Sequence, residues 1–403
     1  MAEKEAIEEA HSKLRSKFLQ VIRFSTRRRC EFFPIVRRYK KAVSRLYENS
    51  PPTKEEMEIM ESCPKMETEN LEELLQEENF YLVMNWPTGE WDDELWEGEN
   101  ENLEYEAHSG RRIQWLPVVI YKLKESDESD EEKRRPAVVF LHSMNKNKDF
   151  LRPLLKAYAS RGYVAISVDT CYHGERATNT HAYRDALTYS WASGKSKPFI
   201  YEVVYDLMRL ADFLTEDRDD IDPSRIGITG ISLGGIHAWF AALADTRYSV
   251  VVPLIGVRGF RWAIDNDQWK PLADDMEVLF DVARHNLGKD RVDKEVVEKV
   301  FDRIAPDLTS EYDAPYSIPA IAPRPLLIIN GAEDPLCPVA GLEVPISKAT
   351  QAYEAFQCLD NFKFMIGSFY TQFIAEAGVG HQITRLQVKE SCDWFDRFLK
   401  PDT

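Results

Sequence analysis

The chain has no C-x-x-C pair, and its six cysteines, at 30, 63, 171, 337, 358 and 392, are widely scattered. That spacing excludes the usual thiolate zinc sites and dithiol redox motifs, and predicts reduced thiols in a cytoplasmic protein. No apolar run reaches about 18 residues, so no membrane span is expected. The opening MAEKEAIEEA lacks both the apolar core of a secretory signal and the acid-poor character of a transit peptide. Neither H-E-x-x-H nor a phosphate-binding P-loop occurs, so neither a metal nor an organic cofactor is expected. Basic residues are in the minority, 51 Lys and Arg against 68 Asp and Glu. The resulting formal charge of −17 argues against nucleic acid as a partner for the chain as a whole.

What is present is enough to fold. A chain of 403 residues, 44% of them hydrophobic, can bury one large core with an appendage. Its charge is segregated: residues 11–46 hold twelve Lys and Arg and one acid, and residues 47–106 hold twenty acids and two Lys. Residues 1–109 are therefore read as a helical, charge-segregated extension, carried by AIEEAHSKLRSKFLQVIRFS and LEELLQEENFYLVMNW. Its two halves are expected to lie as solvated segments, with contact between copies in a homo-oligomer as the alternative.

RRIQWLPVVIYKL reads as a strand at a sheet edge that tolerates Pro117, and KESDESDEEKRR, 124–135, as a surface loop. Beyond it, short apolar runs alternate with helical stretches: AVVFL, YVAISV, RIGIT, SVVVPLI, PLLII and FKFMI. Continuous apolar strands separated by helices predict a mostly parallel sheet covered on both faces, a three-layer α/β domain over 110–403. Residues 256–320 are far too many for a plain connection between two such strands, and are expected to fold as a helical cap.

In such a sheet the loops at the carboxyl ends of the strands converge on one crevice. Ser232, in Gly230-Ile231-Ser232-Leu233-Gly234, directly follows RIGIT and precedes a helical stretch. A serine on so sharp a turn needs small neighbours two residues away on either side, which Gly230 and Gly234 provide. Gly235 lets the helix approach the sheet. Asp334, in the loop after PLLII, is the candidate acid, with Glu333 as its substitute. Of eight histidines, His381 stands in a strand-end position before the final amphipathic helix, while His237 lies too close along the same helix to turn back. Nucleophile, acid and base thus follow in the order Ser232, Asp334, His381. Leu233 N–H and either Met144 or Ser143 N–H are the expected oxyanion donors. His142, Tyr172, His173 and Trp191 are the candidate substrate-binding residues of the strand-end loops, and Phe260 and Trp262 those of the cap. An aromatic, mostly uncharged lining suits a small or medium apolar ester as the partner.

These motifs resemble those of the α/β-hydrolase superfamily, in its dienelactone hydrolase, acetyl esterase and prolyl-oligopeptidase-like group. The likeness covers residues 110–400 and rests on the G-x-S-x-G-G elbow, Gly230 to Gly235, and on VDTCYHGER, similar to the loop lining that group's crevice. Two departures stand out: His142-Ser143 replaces the usual His-Gly, and GSFYTQFIAEAG separates the last strand from His381. The resemblance implies a serine carboxylesterase working through an acyl-enzyme. A peptidase or amidase with the same residues, and an idle fold used for binding, are the alternatives.

Overall fold

A computed structural model describes residues 2–26, 35–38, 51–83, 115–124, 134–365 and 378–400. Among the described residues nine strands form one sheet: β1 (Ile35–Arg38), β2 (Leu75–Val83), β3 (Trp115–Leu123), β4 (Arg135–Leu141), β5 (Val164–Val168), β6 (Ile221–Ile231), β7 (Tyr248–Leu254), β8 (Leu326–Ile329) and β9 (Phe362–Met365). Their order is β1-β2-β3-β5-β4-β6-β7-β8-β9. The pairs from β1 to β5 are antiparallel, and from β5 through β4 to β9 the sheet is parallel.

Strand periodicity divides the core. Ala137, Val139 and Leu141 of β4 belong to one apolar cluster, and Val138 and Phe140 to the other, because successive side chains leave a strand on opposite faces. The first cluster packs beneath the helices Tyr201–Glu216 and Leu233–Ala244, the second beneath Arg152–Ser160 and Arg385–Leu399. The helix after the elbow, LGGIHAWFAALA, is buried on every side, as a helix apolar all round must be. The architecture is the three-layer α/β fold.

The amino-terminal region differs from its sequence reading in two ways. LEELLQEENFYLVMNW reads as helix, but among its described residues only Leu71–Leu74 is helical and residues 75–83 form β2, paired with β3 from Leu75↔Leu123 to Val83↔Trp115. Nine residues of ladder, with Phe80 and Leu82 in the core, outweigh a local helical preference. As a consequence β3 has neighbours on both sides and is not an edge. Pro117 is accommodated because it lies one residue outside the β3–β5 ladder.

The first helix, Ala2–Thr26, is built into the domain rather than solvated around its girth. Phe18 and Ile22 are buried, and the Phe18 ring meets Tyr201, Phe240 and Tyr312. Arg15 donates to Leu243 O at 3.0 Å, where the buried helix runs out of internal donors for its last carbonyls. Of the basic block, residues 27–34 and 39–46 lie outside the described residues, as do 47–50, 84–114, most of the acidic loop at 125–133, and 366–377 before His381. Among the described residues no helix is long and apolar enough to cross a membrane.

Between β7 and β8 the chain forms helices Phe260–Asp265, Lys270–Asp275, Glu277–Asn286, Lys294–Ile304 and Ala314–Ser317. Phe260, Phe280, Phe301 and Ile304 are buried there, and the two ends of the segment are tied to each other by Asp313, whose oxygens accept the N–H groups of Phe260 and Arg261, each at 2.8 Å.

Candidate active site

The elbow follows from three close approaches. β6 ends at Ile231, and Ser232 takes φ 56° and ψ −114°, a left-handed conformation a non-glycine residue holds only when its surroundings impose it. Ser232 N–H donates to Leu254 O at 2.9 Å, and Ile236 N–H to Ser232 O at 3.1 Å. A Cβ on Gly230 would lie 2.3 Å from Gly234 O, one on Gly234 2.3 Å from Leu141 O, and one on Gly235 2.7 Å from Leu254 O. Each glycine therefore removes a collision with backbone that cannot give way. The Gly234 contact also sets the start of the helix against the end of β4, from which residues 142–144 continue.

Two loops complete the constellation. The exit of β8 carries Asp334, whose side chain is fully buried; Oδ1 accepts Leu336 N–H at 2.8 Å and Cys337 N–H at 3.0 Å. The loop 378–381 is laced to it by Glu333 N–H donating to Val379 O at 3.0 Å. A Cβ on Gly331 would meet Gly380 O at 2.3 Å, so the two backbones touch. In consequence His381 Nδ1 sits 2.8 Å from Asp334 Oδ2 and His381 Nε2 sits 2.7 Å from Ser232 Oγ. With Nδ1–H donating to the carboxylate, Nε2 is left to accept the serine hydroxyl proton. His381 keeps 21% of its side chain exposed, an opening toward solvent. Glu333 is spent elsewhere, its Oε1 accepting Gly378 N–H at 3.1 Å.

The arrangement can do proton-coupled nucleophilic chemistry. Asp334, Cys337 and His381 also offer atoms within 4.8 Å of one another, as metal ligands would. The donor set does not suit an ion, however: burial pushes the Cys337 thiol up, and it donates to Ile255 O at 3.4 Å, whereas ligation needs a thiolate.

Leu233 N–H opens the helix and has no acceptor within it. Ser143 and Met144 follow β4 beside that helix start and are partly exposed.

Several expected substrate-binding residues do not line an opening. His142 and His173 are fully buried, with rings 5.0 Å apart. His142 Nε2 accepts Thr170 N–H at 3.1 Å, and His173 Nδ1 lies 2.9 Å from Cys171 O. Burial drives both imidazoles toward the neutral form, and both hold loops rather than face a ligand. Phe260, 1% exposed, is core. Trp262 is half-buried against Gly341. Trp191 donates to Asn286 Oδ1 at 3.0 Å and borders a surface cleft of about 450 Å³ with Lys299, Asp302 and Arg303, away from Ser232 and His381. Tyr172 is half-buried with φ 64°; the surrounding protein pushes its phenol up to about 12.

Two groups escaped the sequence reading. Beneath the loop after β4, Lys148 is 2% exposed; its N–H donates to Asp169 Oδ1 at 2.8 Å and its Nζ to Asp169 Oδ2 at 3.1 Å, with Glu175 completing the cluster. Burial pulls the amine down, and the two carboxylates more than reverse it. Asp169 stands at the end of β5 within the quoted VDTCYHGER, which was the available signal. The second is Arg258, a buried cation just past β7, for which no spacing rule gives a signal.

Residues 126–282, which contain the elbow, match the Dienelactone hydrolase family. The chain has the α/β-hydrolase fold. Two Bacillus subtilis (strain 168) proteins are similar to it. "Putative hydrolase YtaP" is 25% identical over 262 residues, 60% of this chain and 76% of that protein. "Putative esterase YitV" is 24% identical over 283 residues, 68% and 92% of the two chains. Among solved structures a methylesterase matches with a TM-score of 0.56 at 13% identity, over 98% of this hydrolase. The hydrolase spans 64% of that methylesterase's length, and the likeness is one of fold. Family and relatives together make the chain an enzyme of the carboxylic ester hydrolase class.

Proposed function

We propose that this hydrolase is a serine carboxylesterase for small to medium esters, with Ser232 as nucleophile, His381 as general base and acid, and Asp334 as the group that orients the imidazole. The observation that carries the reading is the continuous hydrogen-bonded chain from Ser232 Oγ through His381 to Asp334, at 2.7 and 2.8 Å.

Ser232 attacks the ester carbonyl as His381 Nε2 takes its proton, and Asp334 stabilises the imidazolium that forms. Negative charge then develops on the carbonyl oxygen beside the start of the helix. Leu233 N–H, together with Met144 or Ser143 N–H, receives it. The imidazolium protonates the departing alcohol, and water repeats the sequence on the acyl-enzyme. The strained backbone of Ser232 supports this reading, since the strain keeps Oγ clear of the helix that follows.

The test is to treat purified protein with a fluorophosphonate and weigh it intact, beside Ser232→Ala. One adduct on the wild type and none on the variant is expected. A folded wild type that takes no adduct, or a variant that still takes one, overturns the proposal.

A further inference from the structure

Lys146, in the loop that leaves β4, is 5% exposed. A buried ammonium costs several kcal/mol to desolvate and is kept only where its hydrogens are answered. The answering groups lie far back in the chain: Nζ donates to Pro51 O at 3.2 Å and to Glu56 Oε2 at 3.1 Å, and sits 5.0 Å from the centre of the Phe150 ring. The same loop carries Ser143 and Met144, the candidate sources of the second oxyanion donor.

Between Ser143 and Lys146 the backbone makes a four-residue turn. Lys146 N–H donates to Ser143 O at 3.2 Å, and Asn145 holds φ 61°, a left-handed position that Asn tolerates better than most residues. The upstream end of the turn is fixed, because His142 O lies against Gly234, where a Cβ would approach it to 2.7 Å, and His142 Nε2 accepts Thr170 N–H. At the downstream end Lys148 is held by Asp169 at the end of β5, whereas Lys146 reaches out to residues 51–56.

The segment that receives Lys146 has a fixed place of its own. Thr53 and Glu56 cap the helix Lys54–Glu61 reciprocally, Glu56 N–H donating to Thr53 Oγ1 at 3.1 Å and Thr53 N–H to Glu56 Oε2 at 2.7 Å. The carboxylate oxygen that closes the cap is therefore the one that takes the ammonium. Met60 and Cys63 then bury the end of this segment in the core cluster on one face of the sheet. The family match begins at residue 126, so the groups that hold Lys146 come from outside it.

We propose that Lys146 is a positioning residue for the oxyanion site: clamped by Pro51 O and Glu56, it fixes the turn that aims the N–H of Met144 or Ser143, and residues 51–56 thereby complete the active site from outside the matched domain. The inference rests on the esterase reading and adds to it the device that sets the second donor. A donor displaced by about 1 Å costs roughly a hundredfold in rate, since it meets the developing charge in one position only.

The test is kinetic, with the working sites of each variant counted by fluorophosphonate titration run to completion. A purely structural role would lower the titratable fraction and the Tm, and leave kcat per titrated site unchanged. Lys146→Met keeps the packing on Phe150 and removes the ammonium. Its kcat per titrated site on 4-nitrophenyl acetate should fall about 10- to 100-fold, with KM within about twofold. A trifluoromethyl ketone, whose adduct with Ser232 places an oxyanion in the same site, should bind more weakly by a similar factor. Lys146→Arg, still a cation with donors for both oxygens, should recover most of the rate.

Glu56→Gln retains an oxygen for the helix cap and leaves Pro51 O in place, so its loss should be smaller, about three- to tenfold; this variant decides the question should Lys146→Met not fold. Wild-type kcat per titrated site in either variant overturns the inference. So does a loss confined to KM, or a fall in kcat that leaves the affinity for the ketone unchanged. A wild type that takes no fluorophosphonate overturns the esterase reading and this inference with it, whereas a labelled, active wild type beside an unimpaired Lys146→Met overturns the clamp alone.

Discussion

His381 and Ser232 are 149 positions apart in the chain and 2.7 Å apart in space, Nε2 to Oγ. That relationship makes the first prediction quantitative. Ser232→Ala should lower kcat on a 4-nitrophenyl ester by roughly three to six orders of magnitude, and His381→Ala nearly as much, without unfolding. Asp334→Asn should cost roughly three to four orders, because the imidazole then takes the wrong tautomer. Glu333→Gln should retain activity, since its carboxylate serves Gly378 N–H. Steady-state kinetics with circular dichroism controls checks all four.

Gly234→Ala tests the elbow. Its Cβ would lie 2.3 Å from Leu141 O and 2.7 Å from His142 O, both backbone atoms. The helix start must move away from β4, at a cost of about 1–3 kcal/mol or more. Fluorophosphonate labelling of Ser232 should fall even where the variant still folds. A thermal melt beside a labelling time course separates the two effects.

Acid should destabilise the enzyme well before carboxylates protonate. His237 is buried within the elbow helix, with Nε2 2.9 Å from Phe199 O, and burial lowers its pKa from 6.5 to about 3. The unfolded chain therefore binds a proton between those values that the folded chain refuses. Stability from the neutral ring is complete above about pH 6.5 and is lost as pH falls toward 3, by up to about 2–3 kcal/mol at pH 4.5. His237→Gln, which keeps a donor for Phe199 O, should flatten the fall in Tm between pH 7 and 4.5. Equal slopes for both proteins would refute the assignment.

Phe18→Ala asks whether the first helix belongs to the domain. The ring is fully buried among Tyr201, Phe240 and Tyr312, so truncation should cost about 3–5 kcal/mol in urea unfolding. A loss under about 1 kcal/mol would mean that the helix is an appendage after all.

Much of the site is legible in the sequence alone. The alternation of apolar runs and helical stretches exposes the parallel sheet, because strands buried on both faces need no polar alternation. Gly230, Gly234 and Gly235 betray the elbow, since a turn that tight admits no side chain. The pocket residues were not legible. A tyrosine or histidine in a strand-end loop has the same local signature whether its side chain turns outward, as that of His381 partly does, or inward, as those of His142 and His173 do.

The sequence by itself determined the alternation of strands and helices beyond residue 135, the turn that presents Ser232, and the succession Ser232, Asp334, His381, all of which depend on residues near one another in the chain or on where strand ends must meet. Only the tertiary structure decided that residues 75–83 are strand rather than helix, that Phe18 is core, and that Asp334 rather than Glu333 meets His381. It alone seated Lys148 on Asp169 and laid the Arg258 guanidinium over the Phe260 ring. The reason is physical: a ladder, a buried charge and a closed ring cluster are each made by groups far apart in sequence. Their free energy depends on which neighbours arrive, and no local pattern records that.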